Sequence, residues 1–119
     1  GICNVPFFRE NFEAWVHGPV CRELYNRFKD TKSLYSQIDI NDVANKEVKS
    51  VFSQDDVEFM DYILENYAGY SGVQLEAMTH NEAPWKEARK GCAPMERCEK
   101  KISNDSMKSY YGAKYNEIV

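Results

Sequence analysis

The chain has 119 residues, of which 43% are hydrophobic and 29% charged, a balance typical of ordinary globular proteins rather than of disordered ones. No run of about 18 apolar residues predicts a membrane span, and the formal charge of −4 argues against binding to a nucleic-acid backbone. A chain of this length is expected to form one compact domain over residues 1–119.

Gly18 and Pro19 interrupt the first part of the sequence, since glycine tolerates turns and proline suits the first turn of a helix. We therefore predict a helix from about Pro19 to Lys29. Its apolar residues share one helical face, which is expected to pack against a core: Val20, Leu24, Tyr25 and Phe28.

Residues 32–45 lose this periodicity and are rich in Ser, Asp and Asn. Within them the segment YSQIDI, residues 35–40, alternates as a strand does. We predict an irregular loop near residues 32–45 with a short extended piece in it.

The next segment begins with a capping pattern, because Ser53 stands three residues before Asp56 and each can bond to the other's backbone. This pattern predicts the start of a helix that Gly69 ends. The apolar stripe of this helix is wide: Val57, Met60, Ile63, Leu64 and Tyr67.

Ser71 and Gln74 repeat the capping pattern and predict a short helix that ends near Thr79. Its buried face is expected to carry three apolar residues: Val73, Leu75 and Met78. A further helix is predicted from about Glu82 to Lys90, with Asn81 as its cap, Pro84 early in it and Gly91 at its end.

Ser103 is predicted to cap a last helix, in which Met107, Tyr110 and Tyr111 share a face. Together these elements predict a mainly α protein, a single compact helical domain of about five short helices.

Residues able to carry chemistry are few. His17 and His80 are the only histidines, neither has a partner at metal-ligand or catalytic-triad spacing, and no phosphate loop or hydrolase motif occurs. The four cysteines, Cys3, Cys21, Cys92 and Cys98, show no C-x-x-C pair and are expected to be reduced thiols. We therefore predict no catalytic residue, no metal and no cofactor.

The segment MTHNEAPWKEAR raises the question of what His80 does. An imidazole between two short helices can accept a hydrogen bond from one backbone group and donate one to another, so we interpret His80 as a residue that fastens the turn. Trp85 and Trp15 are interpreted as anchors of the core or of an interface.

A basic stretch follows, and its six cationic residues are interpreted as a solvated helical face: Lys86, Arg89, Lys90, Arg97, Lys100 and Lys101.

Three phrases of the sequence resemble the SocA-like or Panacea antitoxin family, which includes phage-associated proteins of the GepA type. The first phrase is E-A-W-x-x-G-P-V with a following L-Y: Glu13, Ala14, Trp15, Gly18, Pro19, Val20, Leu24 and Tyr25. The second is Y-x-x-x-S-x-x-x-L: Tyr67, Ser71 and Leu75. The third is T-H-x-x-x-P-W: Thr79, His80, Pro84 and Trp85. The tail ISNDSMKSYYGAKY is similar to the closing helix of the family.

The resemblance implies a non-enzymatic protein that neutralises a cognate toxin by binding it in the cytoplasm of a bacterium, encoded there or by a phage. It also implies that the motif residues are mainly scaffold. Members usually begin with two further helices, so we expect this chain to be N-terminally truncated or a short member. We also expect it to cover open apolar faces by self-association, as in a homodimer.

Three alternatives remain open. One family member acts as an adaptor that delivers its toxin to an ATP-dependent protease. Antitoxins often repress their own operons, so a DNA-binding regulator is a second alternative, although the segment between Gly72 and Thr79 lacks basic residues. The third is an enzyme that uses His80 with Glu82 or Glu87, for which no orienting partner is visible.

Overall fold

The computed structural model describes residues 9–42 and 52–118, and its chain divides into two compact units. The first unit comprises residues up to 31 and from 76 onwards, and the second unit comprises residues 32–75. No helix in the described part of the chain is long and apolar enough to cross a membrane.

The first described element of the first unit is a β-hairpin that the sequence analysis did not predict. Strand β1 (Phe12–Trp15) pairs antiparallel with β2 (Gly18–Cys21), and Trp15 lies opposite Gly18. Gly18 has a φ of 121°, a conformation that glycine adopts without steric cost, and this permits the tight connection through Val16 and His17. The predicted helical start at Pro19 is therefore wrong, because residues 19–21 belong to a strand.

Strand β1 is bonded on its other edge by the chain near residue 101. The amide of Ala14 donates to the carbonyl of Lys100 at 2.8 Å, and the amide of Ile102 donates to the carbonyl of Phe12 at 2.7 Å. Three buried apolar residues of the described chain lie along this seam: Ala14, Cys98 and Ile102. The core of the first unit is thus small and centred on β1.

Helix α1 (Arg22–Phe28) follows β2 directly. Leu24 is 53% exposed and Tyr25 is 44% exposed, and no residue of α1 is buried. The prediction that this face packs into a core is wrong, because the hairpin takes Val20 out of the helical register and leaves a helix of only two turns.

Two more of the described helices lie entirely within the first unit. Helix α4 (Ala83–Ala88) has Glu82 at its N-cap and Pro84 in its first turn, and helix α5 spans Asn104–Ile118. Asn81 does not cap α4, because its side-chain amide donates to the carbonyl of Ala77 at 3.0 Å. The predicted cap of α5 is confirmed, since the amide of Ser106 donates to Oγ of Ser103 at 3.2 Å.

In the second unit, helix α2 (Gln54–Tyr67) begins with the predicted capping box. The amide of Asp56 donates to Oγ of Ser53, and the amide of Ser53 donates to the Asp56 carboxylate. Within the described residues 32–42 there is no strand, only a loop and a 3₁₀ turn over Ile40–Asp42. The expected loop is confirmed over residues 32–42, its residues 43–45 lie outside the described residues, and the extended alternation of YSQIDI does not form a strand.

Helix α3 (Gly72–His80) opens with the second predicted capping box, between Ser71 and Gln74. Its predicted buried face is wrong, because Val73 is 56% exposed and Leu75 is also exposed. Five α-helices and a two-stranded sheet therefore account for the described residues, and the mainly α fold class is confirmed.

Candidate functional site

The first family phrase forms an ion-paired cluster on the hairpin. Arg22 donates from Nε and Nη2 to the two carboxylate oxygens of Glu13 at 2.9 and 2.8 Å, and the indole of Trp15 donates to the same carboxylate at 3.1 Å. The bonds from Arg22, aided by the one from Trp15, outweigh the cost of burial and lower the pKa of Glu13 to about 2. These bonds therefore hold the Glu13 carboxylate in its ionised form within the hairpin.

The closed end of the hairpin contacts the segment from α3 to α4. The indole nitrogen of Trp85 donates to the carbonyl of Trp15 at 2.9 Å, and a Cβ at Gly18 would lie 3.3 Å from Oγ1 of Thr79. Pro84 is buried in the first turn of α4. The first and third family phrases, about 60 residues apart in sequence, therefore meet in space.

His80 occupies the last position of α3, and its ring stacks on Trp85 with the ring centroids 4.1 Å apart and the planes inclined by 23°. Its Nε2 is buried and has no hydrogen-bond partner. The expected pair of hydrogen bonds to the turn backbone is therefore wrong, because the ring faces Trp85 instead. In this geometry the contact of His80 at the turn is the packing of its ring on Trp85.

We expect His80→Ala to lower the free energy of unfolding by about 1–2 kcal/mol, since it removes an aromatic stack and part of the area that covers Trp85. Thermal unfolding followed by circular dichroism measures the loss. His80→Phe is the matched variant and should retain most of the stability. Unchanged stability in the alanine variant would contradict a packing role.

Arg89 is buried, although the sequence predicts that it is exposed to solvent. It was interpreted as part of a solvated face, but it is only 5% exposed. Its Nη1 donates to the carbonyl of Ala14 at 2.9 Å, and its Nη2 donates to carbonyls of the following loop: Ala93, Pro94 and Glu96, at 2.9, 3.4 and 2.6 Å. The guanidinium thus joins β1 to residues 93–96.

A pocket of about 410 Å³ opens beside this guanidinium, and we call it the Arg89 pocket. Its walls come from the hairpin turn, the end of α3, helix α4 and the loop after it. The lining residues are Val16, His17, Glu76, His80, Trp85, Lys86, Arg89, Cys92, Pro94 and Met95. Both histidines of the chain therefore face one cavity.

The acid that the two histidines face is Glu76. Its Oε1 lies 2.8 Å from Nδ1 of His17 and 4.0 Å from Nε2 of His80. Of the acids suggested from sequence for an enzymatic His80, Glu82 accepts from the hydroxyl of Tyr111 at 2.8 Å and Glu87 accepts from the hydroxyl of Ser106 at 2.9 Å. Neither of them forms an ion pair with His80 in the structure.

Among the described residues, no group of three or more His, Cys, Asp and Glu side chains is arranged to hold a metal ion. The three described cysteines, Cys21, Cys92 and Cys98, are free. Burial opposes ionisation of Cys98, but hydrogen bonds from the Cys92 thiol and the Lys100 backbone prevail and lower its pKa. The same hydrogen bond to Cys98 raises the pKa of Cys92.

The remaining motif residues are dispersed. Pro19, Leu24 and Tyr25 are exposed on the hairpin and α1, and Val20 is half-buried. In the second unit Tyr67 is half-buried, Leu75 is exposed, and Ser71 caps α3. Sequence reasoning missed Arg22, Glu76 and Arg89 as site residues. Arg22 could have been found only by noting that an arginine follows the segment that contains Glu13, its acidic partner.

The profile of the SocA-like, Panacea-domain antitoxin family matches residues 2–86. The chain therefore belongs to this antitoxin family, as the three phrases predicted. The match ends within α4, so the likeness of the closing helix to the family stays a prediction. No curated protein and no solved structure is detectably similar to the chain.

Proposed function

We propose that this protein is a non-enzymatic antitoxin that neutralises a cognate toxin by binding it directly in the cytoplasm of a bacterium, from a bacterial or prophage gene. The family match over residues 2–86 carries the proposal. The contacts of the motif residues support it, because Glu13, Trp15 and Trp85 are engaged in bonds within the first unit. Side chains engaged in this way hold a scaffold, and recognition falls to other residues.

Exposed apolar side chains supply a surface suited to a protein partner. On α1, Leu24 and Tyr25 are exposed side by side, and Met95 in the loop after α4 is 78% exposed. Aromatic side chains and methionine are enriched in the centres of protein interfaces. We therefore propose that α1 contributes to toxin binding.

Co-expression with the product of the adjacent gene tests the proposal, and growth that the partner alone arrests is expected to recover. Leu24→Ser is expected to weaken the complex about tenfold or more, as loss of an interface hot spot does. Asn26→Ser, an equally exposed change on the same helix, is the matched control. Growth arrest that persists with full expression of the folded antitoxin would overturn the proposal.

Two further measurements separate direct neutralisation from the two other binding functions. An adaptor for an ATP-dependent protease would lower the level of the toxin only when the protease is present, whereas direct neutralisation leaves a stable complex. A DNA-binding autoregulator would shift promoter DNA. The segment from Gly72 to Thr79 on α3 has no lysine or arginine, which disfavours recognition of DNA by this helix.

We also propose that a second copy of this chain is a partner, so that the protein self-associates as a homodimer. Each unit has exposed residues on the apolar helical faces that we expect a second copy to bury. They include Leu24 in the first unit and Leu64 in the second. Exposed apolar area costs about 25 cal/mol per Å² when it stays in water. Sedimentation velocity at micromolar concentration is expected to show a dimer, and a monomer at all concentrations would refute self-association.

A further inference from the structure

We propose that the Arg89 pocket is a binding site for an organic carboxylate that carries an apolar body. This inference concerns a ligand of the isolated chain and does not depend on toxin binding. Three features of the first unit support it: an unbalanced positive charge, donors without acceptors, and an apolar wall around them.

The charge of the pocket is set by α4. Lys86 lies in α4 and Arg89 is the residue that ends it. Because they are three positions apart, both side chains project from the same side of the helix, towards the pocket. Arg89 bonds only to carbonyl oxygens, so no carboxylate of the described chain neutralises its charge. The Lys86 ammonium makes no ion pair with a described residue. A buried cation without a counter-ion is costly, and an anion in the pocket would remove that cost.

The opposing charge comes from Glu76, the one carboxylate among the lining residues. One of its oxygens is held by His17 at 2.8 Å. Two fixed cations, Lys86 and Arg89, stand against this one carboxylate, so the fixed charges of the lining sum to a single positive charge. A ligand with one negative charge fits this balance, and a doubly charged phosphate would face Glu76 with a charge in excess. We therefore favour a carboxylate.

The pocket also offers hydrogen-bond donors to a carboxylate ligand. A guanidinium has five N–H groups, and those at Nε and the second position of Nη1 have no acceptor among the described residues. Nε2 of His80, which donates in the tautomer that carries its proton there, is buried in the same region without a partner. An unsatisfied buried polar atom costs free energy, and a ligand oxygen within reach would satisfy it.

Apart from the thiol of Cys92, the rest of the lining is apolar: Val16, Trp85, Pro94 and Met95. A volume of about 410 Å³ lies near the lower end of the range for small-molecule sites. The ligand is therefore small, a free amino-acid-like acid or the end of a peptide chain. These two sources share the chemistry that the pocket recognises, and separate probes distinguish them.

The test is a titration of the ¹⁵N-labelled chain by NMR with N-acetyl-leucine and, in a second arm, with the peptide acetyl-Gly-Ala-Leu. The indole N–H signal of Trp85 is expected to shift saturably, and that of Trp15, which does not line the pocket, to move less. N-acetyl-leucinamide lacks the carboxylate and is expected not to bind. Tighter binding of the peptide than of the free acid identifies a chain end as the ligand, and the reverse identifies a small acid.

Lys86→Glu is expected to weaken binding about tenfold or more, since it removes a charge-assisted bond and adds repulsion. Lys108→Glu makes the same charge change at an exposed position of α5 and is the matched control. Lys86→Gln should give a smaller loss, and it serves as the test if the glutamate variant unfolds. The proposal is overturned by an absence of saturable shifts, by equal binding of the amide, or by equal losses in the Lys86 and Lys108 variants.

Discussion

Replacing Arg89 by methionine is expected to lower the free energy of unfolding by about 2–4 kcal/mol, because several carbonyl oxygens lose a hydrogen bond from a charged donor. The guanidinium is 5% exposed and bonds to the carbonyls of Ala14 on β1 and of Ala93 and Glu96 in the loop. Methionine keeps much of the volume and supplies no donor, so the buried carbonyl of Ala14 loses its donor and the partly buried loop carbonyls lose their bonds to the guanidinium. Urea denaturation followed by circular dichroism measures the change.

Lys90→Met is the matched control, because Lys90 is the exposed neighbour and its structural contact is made by its backbone carbonyl, which accepts from Nζ of Lys100 at 2.9 Å. Its stability should stay within about 0.5 kcal/mol of the parent, as for most surface substitutions. A loss in Arg89→Met no larger than that of the control would show that the loop is held by other contacts.

Elements that depend on local interactions were predictable from sequence. Both capping boxes, Ser53 with Asp56 and Ser71 with Gln74, form as expected, because each needs only residues three positions apart. The hairpin was not predicted, since β1 and β2 have four residues each and β1 gains its outer partner from residues 100–102. A pairing over almost 90 residues leaves no periodic signal near the strands.

The candidate site divides in the same way. The positions of Trp15, His80 and Trp85 within family phrases marked them as important, and the structure brings these phrases together. The burial of Arg89 was not predictable, because its acceptors are carbonyl oxygens, and any residue type supplies those. The bond between His17 and Glu76 spans 59 positions and likewise had no local pattern.

The second large effect is a loss of folding stability at low pH, which we attribute to Glu13. Because the pKa of Glu13 is lowered from 4.5 to about 2, the folded state gains from the ionised carboxylate at every pH above about 4.5. As the pH falls from about 4.5 towards 2, the unfolded chain takes up a proton that the folded chain does not, and this stabilisation is lost. A decline in stability over that interval is therefore expected in the parent protein.

Glu13→Gln is expected to lower the melting temperature at pH 7 by about 5–10 °C, since bonds from Arg22 and Trp15 to a charged acceptor become weaker ones. Between pH 4.5 and 2 the variant should also lose less further stability than the parent does, because the titrating group is gone. Glu10→Gln, at an exposed position just before the hairpin, is the control and should follow the parent at every pH. Melting curves for the three proteins at pH 7, 4.5 and 2.5 provide the comparison. If Glu13→Gln and its parent lose the same amount between pH 4.5 and 2.5, the acid sensitivity comes from other carboxylates and the ion pair on the hairpin contributes little to the fold.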